Sequence, residues 1–499
     1  MISNLISDFV RIAIRQGLLE PVDQYYVANR LLALIKEDEW VPNETTELTP
    51  ESSLLETMDA LRQVAQAKGI VSELSYEVEQ FEASVMDLVT PAPSLLNQKF
   101  WGLYKEDKEL ATNYFYELSQ SNDYIKTRQI ARNVAFKTPS AYGNLEITVN
   151  LSKPEKDPKE IAMAKNMPAA SYPKCALCIE NEGYKGRSNH AARQSHRLIR
   201  MDLDGETYGM QYSPYVYYNE HSIFLSEEHR PMVVDRACLE HLLAITEVLP
   251  HYFAGSNADL PIVGGSILSH DHYQGGRYEF PMDRATVNQT VSISAYPEVE
   301  VELLNWPLSV VRIRSHQKAS LTNLAEQILN SWRQYSDESA DILAHTGNTP
   351  HNTITPIVRR RGEQFEMDLV LRNNRTTEEY PDGLFHPHAD VQHIKKENIG
   401  LIEVMGLAIL PPRLLNETEI VKAYLLGETS LEVVPEIHQS WAESLRQVNE
   451  KITADNVQAL IEQGIGAKFA RVLEDAGVYK QTPVGQAAFL RFIEHVNQA

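Results

Sequence analysis

The hydrophobic period of the chain changes near residue 145, and this change limits the folds that the sequence can adopt. Before it, apolar residues recur at helical spacing, for example over residues 5–19 and 27–35. Over residues 145–151 they alternate with polar residues instead, which is typical of a strand with one buried face. The sequence therefore predicts a helical N-terminal region, residues 1–140, followed by a part of mixed structure.

The mixed part does not follow a regular strand–helix alternation. Strands are predicted at 198–203, 216–225, 262–268, 308–313 and 367–371, and helices at 235–249 and 320–334. This order favours an α+β fold over a parallel βαβ fold. Helical spacing returns in a C-terminal region, residues 416–499, with stretches at 442–449, 457–463, 467–474 and 484–497.

Charge and composition exclude several classes of protein. The 499 residues include 46 Lys and Arg against 68 Asp and Glu, a net charge of −22, which disfavours nucleic acid and anionic membranes as partners. Three cysteines are too few for a disulfide scaffold in a chain of this length. The start lacks the basic region of a signal peptide, and the longest apolar run, 399–412, is too short to span a bilayer. We expect a cytoplasmic protein.

Residues 264–276 hold the most informative motif, in which glycines flank His270-Asp-His272-Tyr-Gln274 on both sides. If the segment is a strand, His270, His272 and Gln274 share one face, and Asp271 points to the other. The glycines allow a phosphate to approach the backbone closely. A neutral imidazole can attack phosphorus, and an uncharged amide can donate to a phosphate oxygen. The motif favours phosphoryl-type transfer, while a structural histidine pair and a stray metal site stay open.

Cys175 and Cys178 form a Cys-x-x-Cys pair, which suits one side of a tetrahedral zinc site. Two further ligands would have to come from distant histidines. A pair of ordinary buried thiols is the alternative. A thioredoxin-type redox motif is disfavoured, because no clean βαβ pattern surrounds the pair and Glu180 and Glu182 would not lower a thiol pKa.

Three other polar segments have more than one interpretation. Asn219 and Glu220 begin a stretch that leads to His229, and they suit hydrogen bonds to a flat heterocycle or simply an exposed strand end. His386 and His388 suit a second metal, a phosphate or a surface turn. The basic run 359–361 suits a phosphate contact or a solvated edge.

Together, these segments resemble the galactose-1-phosphate uridylyltransferases of the histidine-triad superfamily. The resemblance rests on SPYVYYNEHSIFLSEEHRPM and GGSILSHDHYQGGRYEFPM, and it is closer to the second class, common in Gram-positive bacteria, which has an extra helical N-terminal region. It implies a histidine-triad-like antiparallel sheet core in two related halves. The first half, 141–285, would carry the cysteine and histidine motifs, and the second would span 286–415.

The resemblance also implies an activity. It is a ping-pong exchange in which UDP-glucose and galactose 1-phosphate give glucose 1-phosphate and UDP-galactose. His272 would be the nucleophile on the α-phosphorus, and Gln274 would hold the uridylyl phosphate. Hydrolase relatives have a third histidine in place of Gln274, which argues for transfer. A nucleotide-sugar phosphorylase or hydrolase on the same fold, and a non-catalytic protein stapled by zinc, are the alternatives.

The remaining site residues are implied by position. In zinc-containing relatives the matching ligands are Cys175, Cys178, His229 and His270, and this zinc would be structural. Asn219 and Glu220 match contacts to uracil and ribose, and Asn257 and Ser266 match contacts on the phosphate side. Lys153, Lys156 and Lys159 would replace arginines of the better-known class. Relatives place the site at a dimer interface, which implies a homodimer.

Overall fold

A computed structural model describes residues 2–42, 48–49, 52–152, 171–265, 267–449 and 451–498. Ser266 and the lysines at 153, 156 and 159 lie outside the described residues. Within those ranges, each helix is too short or too polar to cross a bilayer.

The N-terminal region is helical as far as Ile130, whereas residues 134–140 of the predicted range 1–140 form a strand. Its helices are α1 (Ile2–Arg15), α2 (Gln24–Ile35), α3 (Leu54–Ala67), α4 (Ser75–Asp87), α5 (Pro93–Glu106), α6 (Lys108–Ser121) and α7 (Thr127–Ile130). Helices α1–α4 bury their apolar faces in a core of their own, which includes Phe9, Leu31 and Leu61. Helices α5 and α6 instead contribute Phe100 and Phe115 to the core of the main sheet.

The strands form two sheets and a short hairpin. They are β1 (Val134–Ser140), β2 (Gly143–Val149), β3 (Ile199–Leu203), β4 (Glu206–Tyr212), β5 (Ser222–Ser226), β6 (Phe253–Gly255), β7 (His272–Gly276), β8 (Val287–Val291), β9 (Glu300–Leu304), β10 (Val310–Ser315), β11 (His345–Thr346), β12 (Thr349–Pro350), β13 (Asn352–Arg361), β14 (Gln364–Asn373) and β15 (Leu407–Leu410). A small sheet has the order β1-β2-β15, and β11 pairs with β12. The other ten strands form one large antiparallel sheet.

The large sheet consists of two halves with the same topology. Its order is β3-β4-β5-β7-β6-β13-β14-β10-β9-β8. If the five strands of each half are numbered in chain order, both halves read first, second, third, fifth, fourth from the edge of the sheet to its centre. A helix links the third and fourth strands in each half: α8 (Arg236–Val248) and α9 (Lys318–Gln334). The halves meet where Gly255 on β6 pairs with Ile357 on β13. The predicted α+β fold with two related antiparallel halves is confirmed.

Both faces of the large sheet are covered. Helices α8 and α9 pack on one face, around Leu242 and Trp332. The small sheet and the C-terminal helices cover the other face, around Ile357 and Phe469. Those helices are α10 (Leu401–Val404), α11 (Arg413–Leu425), α12 (Glu436–Gln447) and α13 (Val457–Ala476), and α14 (Pro483–Gln498) joins the core on the α9 side.

Two strand predictions were wrong in part or in full. The stretch 216–225 is a strand only from Ser222, because Val216 and Glu220 have positive φ angles of 21° and 55°. The described residues of the stretch 262–268 do not form a strand. Ile262 there has a φ of 72°, and Gly264 lies so close to Ala258 that a Cβ would meet its carbonyl oxygen at 2.4 Å.

Candidate active site

Strand β7 carries the histidine motif through the middle of the first half. It lies between β5 and β6, where Gln274 pairs with Ile223 on one side and with Gly255 on the other. Close packing explains why a glycine, Gly275, follows Gln274. A Cβ on Gly275 would lie 2.6 Å from the Phe253 carbonyl oxygen and 2.8 Å from the Phe224 ring.

Successive side chains of the motif point to three different places. His270 precedes the strand and reaches Cys175, so the predicted row of three side chains is wrong for this residue. His272 and Gln274 do share a face and line one cavity. Asp271 contacts Arg230 and Tyr208 rather than the cavity, which agrees with its predicted opposite direction.

His272 is buried, with 8% of its surface exposed. Its Nδ1 lies 2.7 Å from the His270 carbonyl oxygen, which can only accept, so Nδ1 carries the hydrogen. Burial lowers the pKa of His272 and keeps the imidazole neutral. The Nε2 atom therefore has the free lone pair that a nucleophile requires.

Gln274 is oriented by His221, which the sequence reasoning missed. The Nε2 of His221 lies 3.1 Å from the side-chain oxygen of Gln274. Burial lowers the pKa of His221 to about 4, so the ring is neutral, and its Nδ1 has no partner. An unpaired lone pair costs less than an unpaired N–H in such a place, so Nε2 donates to Gln274. The amide N–H groups of Gln274 are left for a ligand.

The cavity beside His272 and Gln274 has a volume of about 640 Å³. Its opposite wall, residues 395–403, also escaped the sequence analysis. Lys395 is 4% exposed there and donates to Glu403 at 2.9 Å and to the Ile409 carbonyl at 3.1 Å. Glu403 interrupts the apolar run 399–412, and Lys395 lies just before that run. A carboxylate inside an apolar run was the available signal.

Asn257, one of the predicted phosphate-side residues, lies in the cavity wall. Its Oδ1 accepts from the Leu401 amide at 2.9 Å, and it is 6% exposed. Its Nδ2 faces Gly265, where a Cβ would approach it to 2.7 Å. Asn257 therefore contacts both Gly265 and the opposite wall of the cavity.

Asn219 and Glu220 do not line this cavity. Glu220 is 1% exposed and accepts from Arg277 Nε at 2.7 Å and from the Tyr252 hydroxyl. Asn219 is exposed, and its amide donates to the Arg277 carbonyl at 3.3 Å. The structure thus uses Glu220 in an internal ion pair, and contact of either residue with a nucleotide stays a prediction.

The four predicted metal ligands come together. One ligand atom from each of Cys175, Cys178, His229 and His270 lies within 4.8 Å of the others. The two sulfurs are 3.5 Å apart, and each has an imidazole Nδ1 at 3.2 Å, from His270 and His229 respectively. Neighbouring ligands of a tetrahedral zinc ion are about 3.5–3.8 Å apart, so these residues fit zinc.

The surroundings of the cluster also suit a metal. The Nε2 of His270 lies 2.9 Å from the Ser226 carbonyl, so the ring donates there and leaves Nδ1 for the cluster. Burial opposes ionisation of Cys175, but its contacts with the His270 ring and the Leu177 amide outweigh it and lower the pKa of this thiol. The cluster can therefore bind a metal ion.

His388 and His393 have partners outside any metal cluster. His388 lies 3.5 Å from Asp475 and contacts the Leu384 carbonyl, and His393 pairs with His438 at 2.8 Å. Over the described ranges, the cysteine–histidine cluster is the only group of three or more such side chains within ligating distance.

Comparison with known proteins covers the whole chain. The family model "Galactose-1-phosphate uridyl transferase, N-terminal domain" matches residues 17–231, and its C-terminal counterpart matches residues 246–443. A "Galactose-1-phosphate uridylyltransferase 2" from Streptococcus pneumoniae serotype 4 is 53% identical over 99% of both chains. A galactose-1-phosphate uridylyltransferase from Streptococcus salivarius is 53% identical over 100% of both.

Among solved structures the likeness is distant. Yeast Ap4A phosphorylase Apa2 is 12% identical with a TM-score of 0.32, over 60% of this chain and 92% of that one. The full-length relatives and the two family models are decisive. The chain belongs to the galactose-1-phosphate uridylyltransferase family.

Proposed function

We propose that this nucleotidyltransferase exchanges UDP-glucose and galactose 1-phosphate for glucose 1-phosphate and UDP-galactose through a uridylyl group carried on His272. The overall exchange is the activity that the family name describes. One observation supports His272 as the carrier. Its Nδ1–H is bonded to a backbone carbonyl, so a neutral ring presents the Nε2 lone pair at a cavity large enough for a substrate.

In the first half-reaction, Nε2 of His272 attacks the α-phosphorus of UDP-glucose. The bond between this phosphorus and the bridging oxygen breaks, and glucose 1-phosphate leaves with the electron pair. The new N–P bond gives the imidazole a positive charge. The His270 carbonyl, 2.7 Å from Nδ1, stabilises that charge. In the second half-reaction, a phosphate oxygen of galactose 1-phosphate attacks the same phosphorus and releases His272.

Gln274 holds the transferred group without taking part in proton transfer. Its N–H groups are directed to the ligand because His221 occupies its oxygen. An amide neither repels the phosphate nor activates a water molecule as a base would. This supports transfer to a sugar phosphate over hydrolysis. Asn257 and Lys395 line the same cavity and would contact the substrates there.

Zinc, when bound to Cys175, Cys178, His229 and His270, would act as a structural cross-link. Four protein ligands leave no open position for a substrate, so it would supply no Lewis-acid chemistry. The segment from His270 to His272 would be held in place from one end.

We also infer a homodimer, by analogy with the family, which light scattering on the purified protein checks.

The first prediction concerns His272. Enzyme incubated with UDP-glucose labelled in the uridylyl phosphate should take up an acid-labile label, and His272→Asn should abolish it, because the variant lacks the Nε2 lone pair that would form the N–P bond. His351→Asn is the control, since His351 is equally buried, at 7%, and lies in the second half. Undiminished labelling of His272→Asn would remove the proposed nucleophile.

The acceptor then separates transfer from its alternatives. Isolated labelled enzyme is mixed with galactose 1-phosphate, inorganic phosphate or water alone, and the labelled product is identified. We expect rapid formation of UDP-galactose and slow release in the other two cases. Faster release by phosphate or by water would identify a phosphorylase or a hydrolase.

A further inference from the structure

The segments that carry His229 and His270 are joined to each other through the residues that follow them. The Asp271 amide donates to the Arg230 carbonyl at 2.7 Å, and the Ser226 amide donates to the Asp271 carbonyl at 3.0 Å. These bonds continue the pairing of β5 with β7 beyond the strand ends. Two backbone hydrogen bonds therefore place the segments side by side, and side-chain contacts hold them there.

The side chains of Arg230 and Asp271 strengthen this junction. Nη2 and Nε of Arg230 lie 3.0 and 3.2 Å from one carboxylate oxygen of Asp271. The Tyr208 hydroxyl on β4 donates to the same oxygen at 2.8 Å, and Glu206 on β4 pairs with Arg230. Asp271 is only 6% exposed, so water screens this ion pair weakly.

We propose that Arg230 and Asp271 form a clamp, named here the Arg230–Asp271 clamp, that positions His272 independently of any metal. It deepens the proposed function and rests on it. Both residues are positioning residues, since Asp271 points away from the cavity and Arg230 does not line it.

The clamp and the cysteine–histidine cluster act on the same two segments. The cluster joins them through the side chains of His229 and His270, and the clamp joins them through the next residue in each case. His272 follows Asp271 directly, and its Nδ1 is bonded to the His270 carbonyl. Either device alone is therefore sufficient to hold that carbonyl and the ring, and loss of both frees them.

The test combines Asp271→Asn with removal of zinc. Wild type and variant are assayed with zinc and after dialysis against a chelator, by the single-turnover rate of His272 uridylylation. The substitution alone and zinc removal alone should each reduce the rate by less than about tenfold. When both are applied, the rate should be at least about tenfold lower than the two separate reductions multiplied together would give. KM for UDP-glucose should change little, because the cavity wall is intact.

A second measurement does not depend on activity. Chelation should lower the thermal unfolding midpoint more in Asp271→Asn than in wild type. Asp337→Asn is the matched control, because it breaks a similar pair with Arg491, away from β7, and the side chains of Asp337 and Asp271 are equally exposed, at 9% each. In this control the effect of chelation should equal that in wild type.

Additive effects of Asp271→Asn and chelation on both rate and midpoint would overturn the clamp. If Asp271→Asn does not fold, Tyr208→Phe is used instead, because it removes one donor to the Asp271 carboxylate. The rate of chelated Tyr208→Phe should then be about threefold lower than the two separate reductions multiplied together would give. Failure of the proposed function looks different, because wild-type enzyme would then take up no label at all. The unfolding midpoints would still test the clamp.

Discussion

At the scale of single residues, Gln274 is the clearest case of a side chain whose neutrality matters. A carboxylate of the same size would repel the uridylyl phosphate and lose the N–H groups that His221 leaves free. We expect Gln274→Glu to slow uridylylation of His272 by about 30–100-fold, which corresponds to one lost hydrogen bond to a charged group. Quenched-flow labelling measures this rate, and a change of less than threefold would contradict the assigned amide role.

His221 gives a prediction about pH. Its pKa is about 4 in the folded chain and near 6.5 when exposed, so between these values only the unfolded chain takes up this proton. The stability it contributes is complete above pH 6.5 and is lost as the pH falls towards 4. From pH 7 to pH 4, the unfolding free energy of His221→Asn should therefore gain about 3 kcal/mol relative to wild type.

Urea unfolding at the two pH values measures this difference. The other histidines are common to both proteins, so their titration cancels in the comparison. An equal gap between wild type and variant at pH 7 and pH 4 would show that the folded chain accepts a proton on His221.

Residues adjacent in sequence were predictable, and residues brought together by the fold were not. His272, Gln274, His270 and the two cysteines belong to short motifs with fixed spacing, whereas His229 was assigned only through the family resemblance. The structure places His272 and Gln274 in one cavity and the four predicted ligands in one cluster. Lys395 is more than 100 residues from His272 in the chain, and no local pattern connects the two. The same holds for the ion pair of Glu220 with Arg277, which joins residues 57 positions apart in the chain.

At the scale of elements, the position of β7 depends on a residue without a side chain. A Cβ on Gly275 would meet the Phe253 carbonyl at 2.6 Å, and backbone cannot move away easily. We expect Gly275→Ala to destabilise the protein by about 1–3 kcal/mol and to lower the rate of His272 labelling, because β7 must shift. Urea unfolding and quenched-flow labelling measure the two effects.

Gly102 provides the control for this prediction. It lies in helix α5, and a Cβ there would meet nothing within 4 Å. Gly102→Ala should therefore stabilise the protein by about 0.5–1 kcal/mol without changing the labelling rate. Similar effects of both substitutions would show that packing around β7 is looser than described.

The same close contacts explain which elements were hard to predict. Helix α13 was expected as two pieces, yet Gly464 and Gly466 lie inside one continuous helix. A Cβ on Gly466 would meet Thr138 on β1 at 2.1 Å. These glycines allow close packing against other elements of the fold. In the sequence alone, a glycine inside a helical pattern indicates only a break in the helix.

At the scale of the whole molecule, one half of the sheet has a cavity where the other has buried ion pairs. Ile357 pairs with Gly255, and Gly255 pairs with Gln274, so all three share one face. On that face of the second half, Arg359 contacts Asp368 at 2.7 Å and is 5% exposed. Neither interpretation of the basic run 359–361 therefore holds for Arg359, whose partners are Asp368 and Glu366 on the adjacent strand and Asp283.

The core of α1–α4 is separate from the catalytic part of the molecule. Phe9 is fully buried in it, and the described residues that line the His272 cavity begin at Leu177. Phe9→Ala should cost about 3–5 kcal/mol of local stability while kcat stays within about twofold, because the cavity loses no contact. Hydrogen exchange should accelerate in residues 6–89 alone, and Val22→Ala, which is 85% exposed, should change neither property. A proportional loss of kcat would show instead that the helical region and the transfer site unfold as one unit.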